Sequence, residues 1–125
     1  MPNKNKNTFK EITLEAFQKT VIEGKKPSIL VFGAEWSGNA EIMNSMIGRI
    51  SQEFTSEINF FEVDIEKHTS IASFFGVTSI PITIMLKEGE VLGLIKGFTS
   101  ANNIRKKIKS NYSEATDNND NRASR

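Results

Sequence analysis

Four consecutive apolar residues, Ile29-Leu30-Val31-Phe32, bounded by Ser28 and Gly33, constrain the fold most. A strand with one wet face alternates apolar and polar side chains, whereas an unbroken run needs cover on both faces. Residues 28–33 therefore predict a strand buried on both faces of its sheet. The flanking sequence supplies the other elements. A short strand is expected at 9–12, then a helix at about 13–23 with Ala16, Phe17, Thr20 and Val21 on one side, ended by Gly24-Lys25-Lys26-Pro27. A long helix is expected at 37–54, where Met43, Met46, Ile47, Ile50 and Phe54 recur at helical spacing. A strand at 60–64 and a short helix at 69–75, ended by Gly76, come next. Strands at 82–86 and 91–95 flank Lys87-Glu88-Gly89-Glu90, which reads as a hairpin turn. The last helix carries Ile104 and Ile108, with Thr99 or Ser100 available as its cap. The order βαβαβαββα predicts an α/β layered sheet that closes on an antiparallel hairpin.

A chain of 125 residues suits one such domain. Residues 1–7 are polar and expected to be loose. Residues 111–125 are crowded with Asn, Asp and Ser around one large apolar residue, Tyr112, so they are expected to form a disordered tail. The folded part is expected at 8–110, and no internal repeat is visible. Hydrophobic residues at 38% and charged residues at 25% place the chain among globular proteins rather than disordered ones. Its longest apolar runs are far too short to cross a bilayer, so no membrane role is expected. A formal net charge of +1 gives no global field that would argue for nucleic acid. The basic residues near Met1 have no apolar run behind them and do not read as a secretory signal. A cytoplasmic monomer is the expected state.

The chain contains no cysteine. That excludes a disulfide, a thiolate nucleophile, sulfur-ligated zinc and an iron–sulfur cluster. His68 is the single histidine, so a His-rich metal site is excluded as well, and no cofactor is expected. His68 itself reads as an ordinary surface residue at a helix start. Met43 and Met46 read as core filling, and Arg105-Lys106-Lys107 as the solvated face of the last helix.

The stretch ILVFGAEWSGNA, 29–40, resembles the strand, Trp and Cys-Gly-Pro-Cys helix start of the thioredoxin family. The stretch FFEVDIEKHTSIASFFGVTSIPITIMLKEGEVLGLIKGF, 60–98, resembles the part of that family that runs through its cis-proline, hairpin and glycine loop. Trp36, Ile80-Pro81 and Gly97 are the anchors, and the resemblance spans about 8–110. It implies a thioredoxin fold, a mixed central sheet with helices on both faces, and a cis bond before Pro81. The family's two catalytic cysteines fall on Ser37 and Ala40, and the proline between them on Asn39. Its buried carboxylate falls on Val31, and the lysine paired with that carboxylate on Phe60. Substituting two cysteines would explain Ser37 and Ala40 but not Asn39, Val31 and Phe60. The pattern favours a naturally cysteine-free site.

Ser37 stands where a helix starts, and N-cap is its expected role, its hydroxyl accepting a backbone N–H. A nucleophilic Ser37 would need an adjacent base, and the lone His68 opens a different helix. By resemblance, Trp36 lies at the rim of a substrate groove and Ile80 offers free backbone groups to an extended polypeptide, a form of strand addition. Phe98 is either an inward packing residue or an interface anchor. The expected function is redox-inactive binding of a polypeptide partner through Trp36, Ser37, Gly38, Asn39, Ala40, Ser79, Ile80, Pro81, Gly97 and Phe98, with no catalytic residue. One rival is a thioredoxin-type disulfide reductase whose cysteines have been substituted. Another is a degenerate structural domain with no groove ligand.

Overall fold

The computed structural model describes residues 9–54 and 57–113. Strand β1 (Phe9–Glu11) leads to a helix α1 that begins as an α-turn (Leu14–Ala16) and continues as π-helix (Phe17–Ile22). Strand β2 (Ser28–Gly33), helix α2 (Gly38–Ser51) with a 3-10 turn (Gln52–Phe54), strand β3 (Asn59–Asp64) and helix α3 (Thr69–Phe74) follow. Strands β4 (Ile82–Lys87) and β5 (Glu90–Lys96) precede helix α4 (Ala101–Ile108), which runs on as a π-turn (Lys109–Ser113).

The five strands form one sheet in the order β1-β3-β2-β4-β5. β1 and β2 both run parallel to β3, while β2–β4 and β4–β5 are antiparallel. All six residues of β2 are buried, as an unbroken apolar run requires of a middle strand. Alternation along β2 splits the core into two layers. Ile29 and Val31 join Phe60, Met43, Ile47, Ile104 and Ile108 on the α2/α4 face. Leu30 and Phe32 join Val21, Val63, Ile71 and Ile84 on the α1/α3 face. Burying each large aliphatic or aromatic side chain contributes about 1.5–3 kcal/mol, so both layers are needed.

The starts of α1, α2 and α4 follow the capping rule, while His68 at the start of α3 makes no side-chain cap. Thr13, Ser37 and Ser100 accept hydrogen bonds from the N–H groups of Ala16, Ala40 and Asn103 at 3.0, 3.1 and 3.1 Å. Ser100 is thus the cap of α4, while Thr99 Oγ1 accepts from the Asn103 side chain. The β4–β5 turn has positive φ at both Glu88 (52°) and Gly89 (81°), the backbone of a type I′ hairpin. Leu92 is the extra residue of β5, because the pairing shifts between Met85 and Leu86.

One boundary differs from the sequence expectation. The last helix continues through residues 111–113, which composition assigns to a tail. Tyr112 is 9% exposed, and its hydroxyl donates toward the carbonyls of Ser28 (3.1 Å) and Leu86 (3.0 Å). The physical reason is a single aromatic long enough to reach two strands, which average composition cannot register. Residues 1–7 and 114–125 lie outside the described residues.

Candidate functional site

Because β1, β3 and β2 run in one direction and β4 runs against them, five chain segments meet at one end of the sheet. In sheet order they are Glu11 at the end of β1, Asp64 at the end of β3 with Glu66 just beyond it, and Trp36 after β2. Ile80-Pro81 before β4 and Gly97-Phe98 after β5 complete the row. The Ile80–Pro81 bond is cis. The Gly97 N–H donates to the Pro81 carbonyl at 2.8 Å and ties the last two segments together. Gly97 has φ 79°, a conformation that favours glycine.

Trp36 is 66% exposed and Phe98 is 50% exposed, which is unusual for residues with so much apolar surface. Of the two expected roles for Phe98, inward packing is therefore not the one it adopts. Trp36 is held all the same. Its indole N–H donates to Glu66 Oε2 at 2.8 Å, and the Glu66 N–H in turn donates to Asp64 Oδ1 at 2.8 Å. Ser79 is exposed, Ile80 is half-buried and Pro81 is buried.

At the helix start, Ser37 Oγ accepts the Ala40 N–H at 3.1 Å. No base is bonded to this hydroxyl among the described residues, so nothing activates it as a nucleophile. Gly38 and Asn39 are exposed, while Ala40 is buried against β2. A Cβ on Gly33 would come within 2.8 Å of the Ala40 Cβ, so glycine at 33 is what lets the helix start approach the strand so closely. Beneath it, Val31 and Phe60 are packed in the same apolar layer. At neither position is there an ionisable group.

A cavity of about 390 Å³ opens on the β1/β3 side of Trp36. Carboxylates of Glu11, Glu35, Glu41, Glu62 and Asp64 line it, with Lys67 as its one cation. Glu62 Oε2 accepts from the Asn44 side chain at 2.9 Å. The partial burial of Glu62 raises its carboxyl above the ordinary range, and the charges of Glu11 and Asp64 add to that shift. The folded chain thus holds this proton more tightly than the unfolded chain. The stability it contributes is present below the unfolded value and is lost as pH rises through the folded one. Glu62→Gln keeps an acceptor for Asn44 and removes the titration. Relative to the parent, the variant is expected to be more stable at pH 7 than at pH 4, measured by urea unfolding at both. An identical difference at both values would contradict this.

His68 is not the ordinary surface residue that its sequence context suggests. Its side chain is 17% exposed, and Nε2 lies 3.2 Å from Glu11 Oε2, which also has Lys67 Nζ at 3.7 Å. Sequence position could not show this, because 57 residues separate His68 from Glu11 and only the β1–β3 pairing brings them together. Glu66 and Asn44 were likewise invisible as partners, although the Asp64-Ile65-Glu66 order is compatible with the observed side-chain turn. Among the described residues, no group of three or more His, Cys, Asp or Glu is placed to hold a metal ion.

These features define a three-layer α/β/α protein in which a capped helix start and a proline loop meet at one end of a mixed sheet. A family model, thioredoxin, matches residues 8–110, and the chain belongs to the thioredoxin family. It is similar to a thioredoxin of Rickettsia felis, 32% identical over 79 residues that cover 63% of this chain and 75% of the relative. It is also similar to thioredoxin 1 of Synechococcus elongatus, 27% identical over 101 residues, 78% of this chain and 94% of the relative. A thioredoxin of Pyropia yezoensis is 28% identical over 102 residues, covering 78% and 95%. The fold is the thioredoxin fold, and it is present here without a single cysteine.

Proposed function

We propose that this chain is a redox-inactive thioredoxin-like protein that binds an extended segment of a polypeptide partner at the end of the sheet. Thiol–disulfide exchange begins with thiolate attack on a disulfide, and a chain without sulfur nucleophiles has no attacking group. Recognition has no such requirement. The observation that carries the reading is the pair of exposed aromatic side chains, Trp36 and Phe98, on either side of Ile80-Pro81. Trp36 is anchored by Glu66, so holding it costs a partner little rotamer freedom. Ile80 precedes β4 and is available for backbone pairing with an extended segment, as in strand addition. No described helix is long and apolar enough to cross a membrane.

The test is selection of binders from a phage-displayed library of 12-residue peptides, followed by titration of the best binder against folded variants. Truncating an aromatic anchor commonly costs about 2 kcal/mol or more. Trp36→Ala and Phe98→Ala are each expected to weaken binding at least about tenfold, while Lys106→Ala, on α4, leaves it unchanged. Parent-like binding by both aromatic variants, or a library that yields no binder, would favour a purely structural domain.

A further inference from the structure

A formal net charge of +1 conceals an uneven distribution. Residues 97–113 contain four basic side chains, Arg105, Lys106, Lys107 and Lys109, and no Asp or Glu. Sequence pattern makes this run one solvated helix face, but the structure divides it. Arg105 is bound to Glu53, with Nη2 2.8 Å from Oε2 and Nε 3.0 Å from Oε1. That hydrogen bonding holds the Glu53 carboxyl below its ordinary range, and the charge of Lys109 acts in the same sense. Lys106 and Lys107 are exposed and have no ion-pair partner among the described residues.

The two free lysines belong to a shaped surface. With Asn103, Lys109 and Ser110 they line a shallow hollow of about 500 Å³. Residues 103, 106, 107 and 110 recur at the spacing of one helix face. The other side of the same helix is fixed to the core, where Ile104, Ile108 and Tyr112 are all buried. Basic residues in a last helical turn complement the helix dipole, but that role does not require an acid-free surround or a hollow.

We infer that this face of α4 is a second docking surface, separate from the groove, and that it takes an acidic segment of a polypeptide. Asp or Glu side chains of the segment face Lys106 and Lys107, and the Ser110 hydroxyl is a further donor to them. Positive charge alone would also attract a membrane or a nucleic acid, and the surroundings disfavour both. An interfacial helix needs an apolar face to insert, and the apolar side chains of α4 lie under the core. Single-stranded nucleic acid stacks on exposed aromatic rings, and 101–111 contain no aromatic residue. Duplex binding draws on many phosphate contacts, which so few lysines cannot supply, and the small net charge adds no long-range field. A short acidic segment needs only local complementarity.

The test uses the whole protein and a 12-residue peptide of Glu alternating with Ser and Gly, compared with its Glu→Gln counterpart at 50 and 300 mM NaCl. Exposed ion pairs are individually weak, so the acidic peptide is expected to bind about three- to tenfold more tightly at low salt, with the preference shrinking at high salt. Amide NMR shifts are expected to centre on 103–110 rather than on Trp36 and Phe98. Lys106→Gln/Lys107→Gln is expected to abolish the preference, while Trp36→Ala keeps it, with circular dichroism checking that both variants fold. Equal binding of the two peptides, or a preference that survives the double Gln variant, would overturn the inference. A 12-nucleotide single-stranded DNA or phosphatidylserine vesicles that bind more tightly than the acidic peptide, and lose binding in the double variant, would overturn the polypeptide partner and assign the surface to that polyanion. None of these outcomes alters the groove reading, which rests on Trp36 and Phe98.

Discussion

Val31→Asp is expected to destabilise the domain by about 2–4 kcal/mol at pH 7, a large share of the stability of a domain this size. Val31 is 0% exposed and packs in the layer that holds Met43, Ile47 and Phe60. An ionised carboxylate there loses its hydration, and Phe60 offers no countercharge. Strand register adds a second unfavourable contribution. The Cα partner of Val31 on β3 is Glu62, on the same face of the sheet, so the new carboxylate would adjoin an existing one. One opposing effect is present. The Cα partner on β4 is Thr83, whose buried hydroxyl has no hydrogen-bond partner among the described residues and could donate to Asp. A hydrogen bond to a charged group contributes about 1.5–3 kcal/mol, less than the several required to desolvate the ion. Desolvation wins. It also raises the carboxyl of the introduced Asp, so the penalty is expected to shrink toward pH 4, where the side chain is neutral. Urea unfolding at pH 4 and 7 measures both effects, and a variant as stable as the parent at pH 7 would overturn the packing described for Val31.

The same position shows how much of the fold was legible beforehand. An unbroken apolar strand requires two covered faces, and the alternation of elements added an α/β layered sheet; helices on both faces came with the resemblance. The cap at Ser37 was legible, and that of α4 was narrowed to Thr99 or Ser100, because capping is local, decided within three residues. That Trp36, Ile80-Pro81 and Gly97-Phe98 share one end of the sheet was expected through the resemblance, which supplied their adjacency. The carboxylate-lined cavity was not. Its residues come from β1, β2, α2 and β3, and no spacing in the sequence records that these elements share one end. Composition also misled at Tyr112. A polar segment with one aromatic averages to a tail, yet that aromatic finds its partners 26 and 84 residues away.

Tyr112 should therefore be among the most sensitive residues outside the sheet. Tyr112→Ala is expected to cost about 3–4 kcal/mol, the range for deleting a large buried aromatic. Tyr112→Phe isolates the hydroxyl. The ring stays, but the carbonyls of Ser28 and Leu86 lose their shared donor, at an expected cost of about 1–2 kcal/mol. Alkaline pH distinguishes the hydroxyl further. Burial pushes the Tyr112 phenol far above its ordinary value, because the phenolate would lose its hydration. The folded state therefore keeps the proton after the unfolded chain has lost it. That contribution to stability is complete below the unfolded value and is lost as pH rises through the folded one. Parent protein should accordingly lose more stability than Tyr112→Phe between pH 9 and pH 11, with the gap between the two narrowing as pH rises. Denaturant midpoints for the three proteins at pH 7, 9 and 11 measure this. A Phe variant whose deficit is the same at every pH would mean the phenol is not buried in solution. A fully stable Ala variant would mean that the last helical turn is not docked on the sheet.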